Sequence, residues 1–389
     1  MAERALNVVH VITRLTLGGS SENTVSTVVA LGRAGYRVTL AVGLPESEPA
    51  VVDGARRRGC RIVEVPTLCR EVAPARDLGA VRSLVGLYRR ERADIVHTHT
   101  SKAGFVGRLA ARLAGTAAVI HQPHGHIFYG YHGARRTRLY IALERLAARW
   151  SDRIVALTER GTEEHLARAI GRREQFVTIP SGVPTAALRA RAPGRAEARA
   201  RLGLDADAFV VAAVGRFVPI KGFDLLVAAL PRLAAEVDAT QVLLVGDGPE
   251  RGALEAVARV LGVTHRLVLI GTASDVVTYM AAADVLAAPS RNEGMGRVIV
   301  EAMALGVPVV GAAVGGIPAV VVDGECGLIV PAEDPQALAD ALARLGRDPL
   351  LRAKLGAAAV GRAEAFSTGV MEARTLAIYR DLEREKRLR

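Results

Sequence analysis

The chain opens on an apolar run, residues 6–12, with no polar alternation. Runs of this length mark strands buried on both faces of a parallel sheet. After Leu17-Gly18-Gly19-Ser20-Ser21, the residues Val25, Val28, Val29 and Leu31 recur at helical spacing until Gly35, where a glycine predicts the helix stop. The alternation then continues. Residues 38–42, 61–65, 94–99, 118–121, 153–157 and 176–179 read as strands. Residues 78–92 read as a helix with Leu84, Leu87 and Tyr88 turned inward. Strand–helix alternation of this kind implies a doubly wound parallel sheet.

Near Pro180-Ser181-Gly182-Val183-Pro184 the pattern breaks, and an Ala/Arg stretch runs to Gly203. Alternation restarts with strands at 209–214, 241–245, 266–270, 284–287, 308–311 and 327–330, followed by closing helices at 335–345, 349–359 and 369–384. This predicts an α/β protein of two Rossmann-like domains, 1–185 and 186–369, with a terminal helix at about 370–389. Residues 298–322 are apolar enough to suggest a membrane span. Glu301, Pro308, Pro318 and several glycines break the run into helix, buried strand, turn and second helix.

Composition narrows the function classes. Half of the 389 residues are hydrophobic, enough for sizeable cores. The net charge of +11 favours anionic partners, although much of the Arg accompanies an Ala/Gly/Val-rich chain. Aromatics at 4% argue against single-strand stacking platforms, so no nucleic acid is expected. Cys60, Cys69 and Cys326 form no Cys-x-x-Cys, and the first residues do not resemble a signal peptide; a reducing cytoplasm is expected. No Gly-x-Gly-x-x-Gly follows a strand, and Gly246-Asp247-Gly248-Pro249-Glu250 misses that spacing. Asp205-Ala206-Asp207 has a metal-type pattern but sits where a turn favours Asp.

The candidate chemistry centres on Asn292-Glu293-Gly294-Met295-Gly296-Arg297, which leads into an apolar helical run containing Glu301. Glu293 is placed in a loop and Glu301 about two turns into the helix, roughly 12 Å away at 1.5 Å per residue. That is too far for a close acid/base pair. It suits a ligand with polar ends and a phosphate between them, the phosphate facing the helix N-terminus. Gly294 and Gly296 let the backbone approach. Arg216 and Lys221 follow the first strand of the second domain, where ligands bind in open α/β sheets. Two cations there would stabilise charge on a departing diphosphate without a metal. In His121-Gln122-Pro123-His124-Gly125-His126, a His beside Gly in an exposed loop can bond a sugar hydroxyl. With no acidic residue or Cys among them, these His are not read as metal ligands. His97-Thr98-His99 and the residues to Gly104 read as a second polar loop, its His more suited to core or orienting roles.

Glu-Gly-Met-Gly-(x)4-Glu-Ala resembles the Glu-x7-Glu motif of family 4 glycosyltransferases, retaining enzymes of the GT-B fold. Gly215-Arg216 with Lys221-Gly222 resembles that family's Gly-Arg…Lys-Gly segment, and Gly18-Gly19 resembles its Gly-Gly loop. Pro180-Ser181-Gly182-Val183 resembles its Pro-Asn-Gly-Val segment, with Ser in place of Asn. The resemblance implies two domains facing across a cleft, with the terminal helix crossing back to the first. It implies that Gly18 and Gly19 approach the phosphate and acceptor, and that His124 contacts the donor sugar, with His121 and His126 as neighbouring alternatives. Glu301 would hold ribose hydroxyls, Arg216 and Lys221 the diphosphate, and Glu293 with the backbone of Gly294, Met295 and Gly296 the sugar. Closure of the cleft would exclude water.

The expected function is therefore retaining transfer of a hexose or N-acetylhexosamine from a nucleotide-diphosphate sugar, UDP being the common case among relatives. No cofactor is required. The acceptor stays open among cell-surface polysaccharide, glycolipid, a small thiol precursor and a natural product. Alternatives are an epimerase or phosphorylase of the same fold, or a non-catalytic sugar-nucleotide-binding protein. A helix carrying Arg135, Arg136, Arg138, Arg145 and Arg149 raises peripheral contact with the inner face of an anionic membrane. Its apolar set, Leu139, Ala142, Leu143, Leu146 and Trp150, is read in preference as packed on the core.

Overall fold

Strands pair in parallel throughout the two sheets of the computed structural model, which describes residues 4–125, 133–273 and 275–388. The chain divides into two units, Met1–Gly182 with Gly369–Arg389, and Val183–Thr368. In the first unit the strands are β1 (Asn7–Ile12), β2 (Arg37–Val42), β3 (Arg61–Glu64), β4 (Ile95–His99), β5 (Ala118–Gln122), β6 (Arg153–Ala156) and β7 (Phe176–Thr178). They lie in the order β3-β2-β1-β4-β5-β6-β7. In the second unit β8 (Phe209–Val214), β9 (Thr240–Val245), β10 (Leu267–Ile270), β11 (Val285–Ala288), β12 (Val309–Ala312) and β13 (Gly327–Val330) lie in the order β10-β9-β8-β11-β12-β13. Each order reverses once, between β1 and β4 and between β8 and β11. At such a reversal the loops at the strands' carboxyl ends part and leave room for a ligand.

The apolar runs form the strands because both faces of each sheet are covered. In the first unit Val9, Val11 and Val96 pack against Leu84, Leu87 and Tyr88 on one side. On the other, Val8, Ile95 and Ile120 pack against Ile378, Tyr379 and Leu382 of the terminal helix Thr368–Lys386. In the second unit Val211, Val242 and Val310 pack among Leu226, Leu230, Leu338 and Leu342. At about 1.5–3 kcal/mol per fully buried aliphatic side chain, these layers are the main favourable term in folding.

Several expected elements are corrected. The helix expected at 78–92 is Pro74–Arg90, started by Pro74 in its first turn, and Leu78 is exposed. The Ala/Arg stretch is two helices, Thr185–Arg191 and Arg195–Leu202. Arg199 of the second is buried against Asp284, 2.6 Å away. His97 and His99 lie inside β4, and residues 101–104 open the helix Ser101–Ala114, so no polar loop exists there. The basic helix Ala134–Ala148 buries Glu144, Ala147 and Ala148, while Leu139, Ala142 and Leu146 face outward. A buried ion pair turns it that way: Arg108 Nη2 donates to Glu144 Oε2 at 2.6 Å. In the first residues of the second unit's approach, Asn23 accepts from Gly182 N and donates to Ser181 Oγ, both at 3.1 Å. Ser181 thus has a structural partner of its own.

Candidate functional site

β8 and β11 flank the reversal in the second sheet, and each runs into a loop carrying a charged group. Beyond β8 the chain passes Arg216, exposed on its loop, and reaches Lys221 at the end of the short turn Pro219–Lys221. Beyond β11 it passes Arg291 and reaches Glu293. Lys221 Nζ donates to Glu293 Oε2 at 2.5 Å, and both side chains are mostly buried. The structure therefore joins two residues that are 72 positions apart in sequence.

Two glycines permit this approach. Gly222 has φ 64°, and a Cβ there would lie 2.1 Å from the carbonyl oxygen of Pro289. Gly315 has φ 51°, and its Cβ would lie 1.9 Å from the carbonyl oxygen of Glu293. Any side chain at either place would push the two loops apart as well as strain the backbone. Arg291, not singled out from the sequence, locks the arrangement. Its guanidinium donates to both oxygens of Asp224 and to the Pro219 carbonyl, each at 2.7 Å, and to Glu333 at 3.0 Å. Its backbone N–H donates to Ile220 O at 2.8 Å. The Arg291 hydrogen bond holds the Asp224 carboxyl below its ordinary range, against a smaller opposing effect of desolvation.

Gly296 caps the helix Arg297–Ala304 in a left-handed conformation, and Met295 beside it is buried. Gly294 is half-buried. Glu301 is the fifth residue of that helix, little more than one turn in, rather than two. The helix begins only after the Gly-Met-Gly turn, so helical rise does not set the Glu293–Glu301 separation. Arg297, the first helical residue, lies 3.7 Å from Glu301. It adds a half-buried cation that the motif reading did not include. One loop-and-helix segment thus presents two carboxylates and a guanidinium beside the Lys221 ammonium. That mix can hold hydroxyls and anionic oxygens together.

In the first unit, Gly18 begins the helix Gly19–Arg33, with no side chain in the capping position. His124 follows β5 with φ 60°. It does not stand in an exposed loop: the residue is half-buried, and its Nε2 lies 2.8 Å from His99 Nδ1. Desolvation pushes its pKa down to about 3, so the ring is neutral at pH 7. His121 lies inside β5, buried, with Nδ1 3.0 Å from Thr98 Oγ1. His126 lies outside the described residues. The nitrogens of His10, His97 and His99 come within 4.8 Å of one another. His10 and His99 spend both nitrogens on hydrogen bonds, to each other and to Tyr379 and His124 respectively, which leaves neither a lone pair in reserve. Asp205 Oδ1 accepts from Asp207 N at 2.9 Å, the bond of a turn.

Known proteins share both units. A glycosyl transferase 4-like domain model matches residues 18–182, and a model of glycosyl transferases group 1 matches residues 194–362. The chain is 32% identical over 292 residues to the UDP-Gal:alpha-D-GlcNAc-diphosphoundecaprenol alpha-1,3-galactosyltransferase of Escherichia coli, covering 74% of this chain and 75% of that one. It is 32% identical over 400 residues to the D-inositol 3-phosphate glycosyltransferase of Actinosynnema mirum, covering 95% and 94%. The Anabaena protein HepE, solved with UDP-glucose, matches with a TM-score of 0.82 at 23% identity, over 97% of this chain and all of that one; this likeness bears on the fold. The chain belongs to the family 4 glycosyltransferases, and its two parallel-sheet α/β domains have the GT-B fold.

Proposed function

We propose that this glycosyltransferase moves a hexose or N-acetylhexosamine from a UDP-linked donor, with retention of configuration and without a metal or other cofactor. The observation that carries the reading is the Lys221–Glu293 pair at the reversal of the second sheet, Glu293 standing in the loop that leads into the helix of Arg297 and Glu301. Lys221 and Arg216 neutralise the diphosphate. Glu301 holds the ribose hydroxyls, and Glu293 with the backbone of residues 294–296 holds the sugar. His124 bonds the sugar, and the N–H groups around Gly18 and Gly19 approach phosphate and acceptor. The departing phosphate takes the acceptor's proton. The first unit is the acceptor-side domain and the second the donor domain.

Calorimetric titration with UDP, GDP and ADP in EDTA tests the donor side. Tight binding of UDP is expected, weakened at least tenfold in Glu301→Ala, because a carboxylate bonded to two hydroxyls supplies charged hydrogen bonds of about 1.5–3 kcal/mol each. Binding of none of the three, with or without magnesium, would remove the donor reading. Preference for GDP would keep the transferase and replace the base.

The acceptor we propose is held at a membrane surface, and the protein docks there from the cytoplasmic side. Among the described residues no helix is long and apolar enough to cross a membrane. The helix Ala134–Ala148 instead shows Leu139 and Leu146 outward, 57% and 42% exposed, among exposed Arg135, Arg136, Arg138, Arg145 and Arg149. Apolar side chains ringed by cations suit the headgroup boundary of an anionic bilayer. The lipid-linked acceptor in the name of the Escherichia coli relative supports the same choice. Sedimentation with anionic vesicles should fall with added salt and in Leu139→Asp/Leu146→Asp. Equal pelleting with neutral and anionic vesicles, or none with either, would refute docking.

A further inference from the structure

Five side chains of the first unit are joined end to end by hydrogen bonds. His124 Nε2 meets His99 Nδ1 at 2.8 Å, and His99 Nε2 meets His10 Nδ1 at 2.8 Å. His10 Nε2 meets the Tyr379 hydroxyl at 3.1 Å, and that hydroxyl meets His97 Nδ1 at 2.9 Å. The register of the sheet creates the series: His10 of β1 sits beside His97 of β4, with His99 two residues further along. The terminal helix closes it from above with Tyr379, fully buried like His10 and His99. His97 Nε2 is the far end, buried and without a partner among the described residues.

Burial keeps each ring neutral. It pushes the pKa of His10 down to about 3 and those of His97 and His99 well below the ordinary value. Burial also raises that of Tyr379, whose hydroxyl keeps its proton. A neutral imidazole has one N–H and one bare nitrogen. A Tyr379 oxygen that accepted from both His10 Nε2 and His97 Nδ1 would leave its own buried O–H bonding nothing in the series; with the hydroxyl giving one bond and taking one, four links with one proton per ring allow only two arrangements. In the first, every ring carries its proton on Nε2, and the series ends in a His97 N–H buried with no acceptor. In the second, every ring carries it on Nδ1, and the series ends in a bare His97 nitrogen. Each ending leaves one buried His97 atom unpaired, and of the two kinds of orphan the buried N–H is the rarer in folded proteins.

We infer that this series of four histidines and Tyr379 fixes His124 in its Nδ1–H form, so that the ring meets its ligand as a hydrogen-bond donor. With Nε2 committed to His99, Nδ1 is the nitrogen left for that ligand. Given the proposed function, the ligand is a sugar hydroxyl or phosphate oxygen, and His124 is not the base that deprotonates the acceptor. His10, His99, His97 and Tyr379 are positioning residues acting through His124. The terminal helix thereby takes part in the chemistry at a distance.

The test is long-range proton–nitrogen NMR of the full chain with ring-labelled histidine at pH 7, assigned by His→Gln variants. All four rings should show a protonated Nδ1 and a bare Nε2, the opposite of the form imidazole side chains favour in water. An Nε2–H or doubly protonated His124 would overturn the inference. His10→Asn places an amide that can donate or accept beside His99, uncoupling His124 from the buried end. It should bring His124 into a mixture of the two forms, though position 124 is untouched. An unchanged His124 in folded His10→Asn would show that its form is set locally, and would overturn the role of the series; if that variant does not fold, the wild-type spectrum decides. No nucleotide is present, so the outcome is independent of the UDP, GDP and ADP titration that tests the transferase reading.

Discussion

Lys221→Ala should lower kcat/KM for transfer by about 100- to 1,000-fold, the usual effect of removing one fixed donor from the charge that develops in a transition state. In this protein the loss has a second part. Lys221 neutralises Glu293 across 2.5 Å, in a place where both side chains are largely withdrawn from water. Removing the lysine would leave a carboxylate facing the anionic donor proposed for this site. Unit charges 4 Å apart near a protein surface interact by about 4 kcal/mol, so this repulsion is comparable with the lost attraction.

The two parts separate in a double-mutant cycle. Glu293→Gln alone should leave UDP affinity equal or slightly higher, because a negative charge is gone, while transfer falls with the lost sugar contact. In the Lys221→Ala background the same change should recover about tenfold of the lost UDP affinity, a coupling of about 1.4 kcal/mol. Calorimetry and initial rates measure both arms. Near-wild-type transfer by Lys221→Ala would sink the donor-site assignment. Strict additivity of the two changes would show that the pair has no electrostatic role in binding.

The sheets were legible because parallel strands buried on both faces need uninterrupted apolar runs, and few other structures do. Residues 209–214 and 327–330 coincide with β8 and β13 for that reason. The strand at 94–99 was legible as well, but the polar loop read over residues 97–104 was not borne out. Three polar residues at a strand end look like a loop until Tyr379 and His10, far away in sequence, supply their hydrogen bonds. Arg108 and Glu144 reversed the reading of the basic helix similarly: a charge that looks solvated in sequence is the buried face when its partner lies on another helix. The Glu-x7-Glu spacing identified the segment but not its geometry, because Gly296 delays the helix start. Arg291 and Arg297 were invisible as site residues, since their partners Asp224, Glu333 and Glu301 define their place and no spacing announces it.

Mild acid should unfold the first unit before the second. His10, His97, His99, His121 and His124 all have pKa values lowered chiefly by desolvation. An unfolded histidine titrates near 6.5. Below that pH, and above the folded values of about 3 for His10 and His124, the unfolded chain binds more protons than the folded one. Stability therefore falls as pH falls from about 6.5, by roughly 1.4 kcal/mol per pH unit for each such ring. Several rings acting together are comparable with the 5–15 kcal/mol of an ordinary domain within about two pH units. The unfolding midpoint should thus lie near pH 5, above the folded values of His10 and His124. The second unit holds a single histidine, His265, which is exposed. The only tryptophan of the chain, Trp150, reports on the first unit alone, near Phe105 with ring centroids 6.1 Å apart. Its fluorescence should change cooperatively near pH 5 while a substantial part of the far-ultraviolet circular dichroism persists to lower pH. Coincident transitions by the two probes, or a Trp150 signal unchanged down to pH 4, would contradict the neutral, desolvated state of the histidine series.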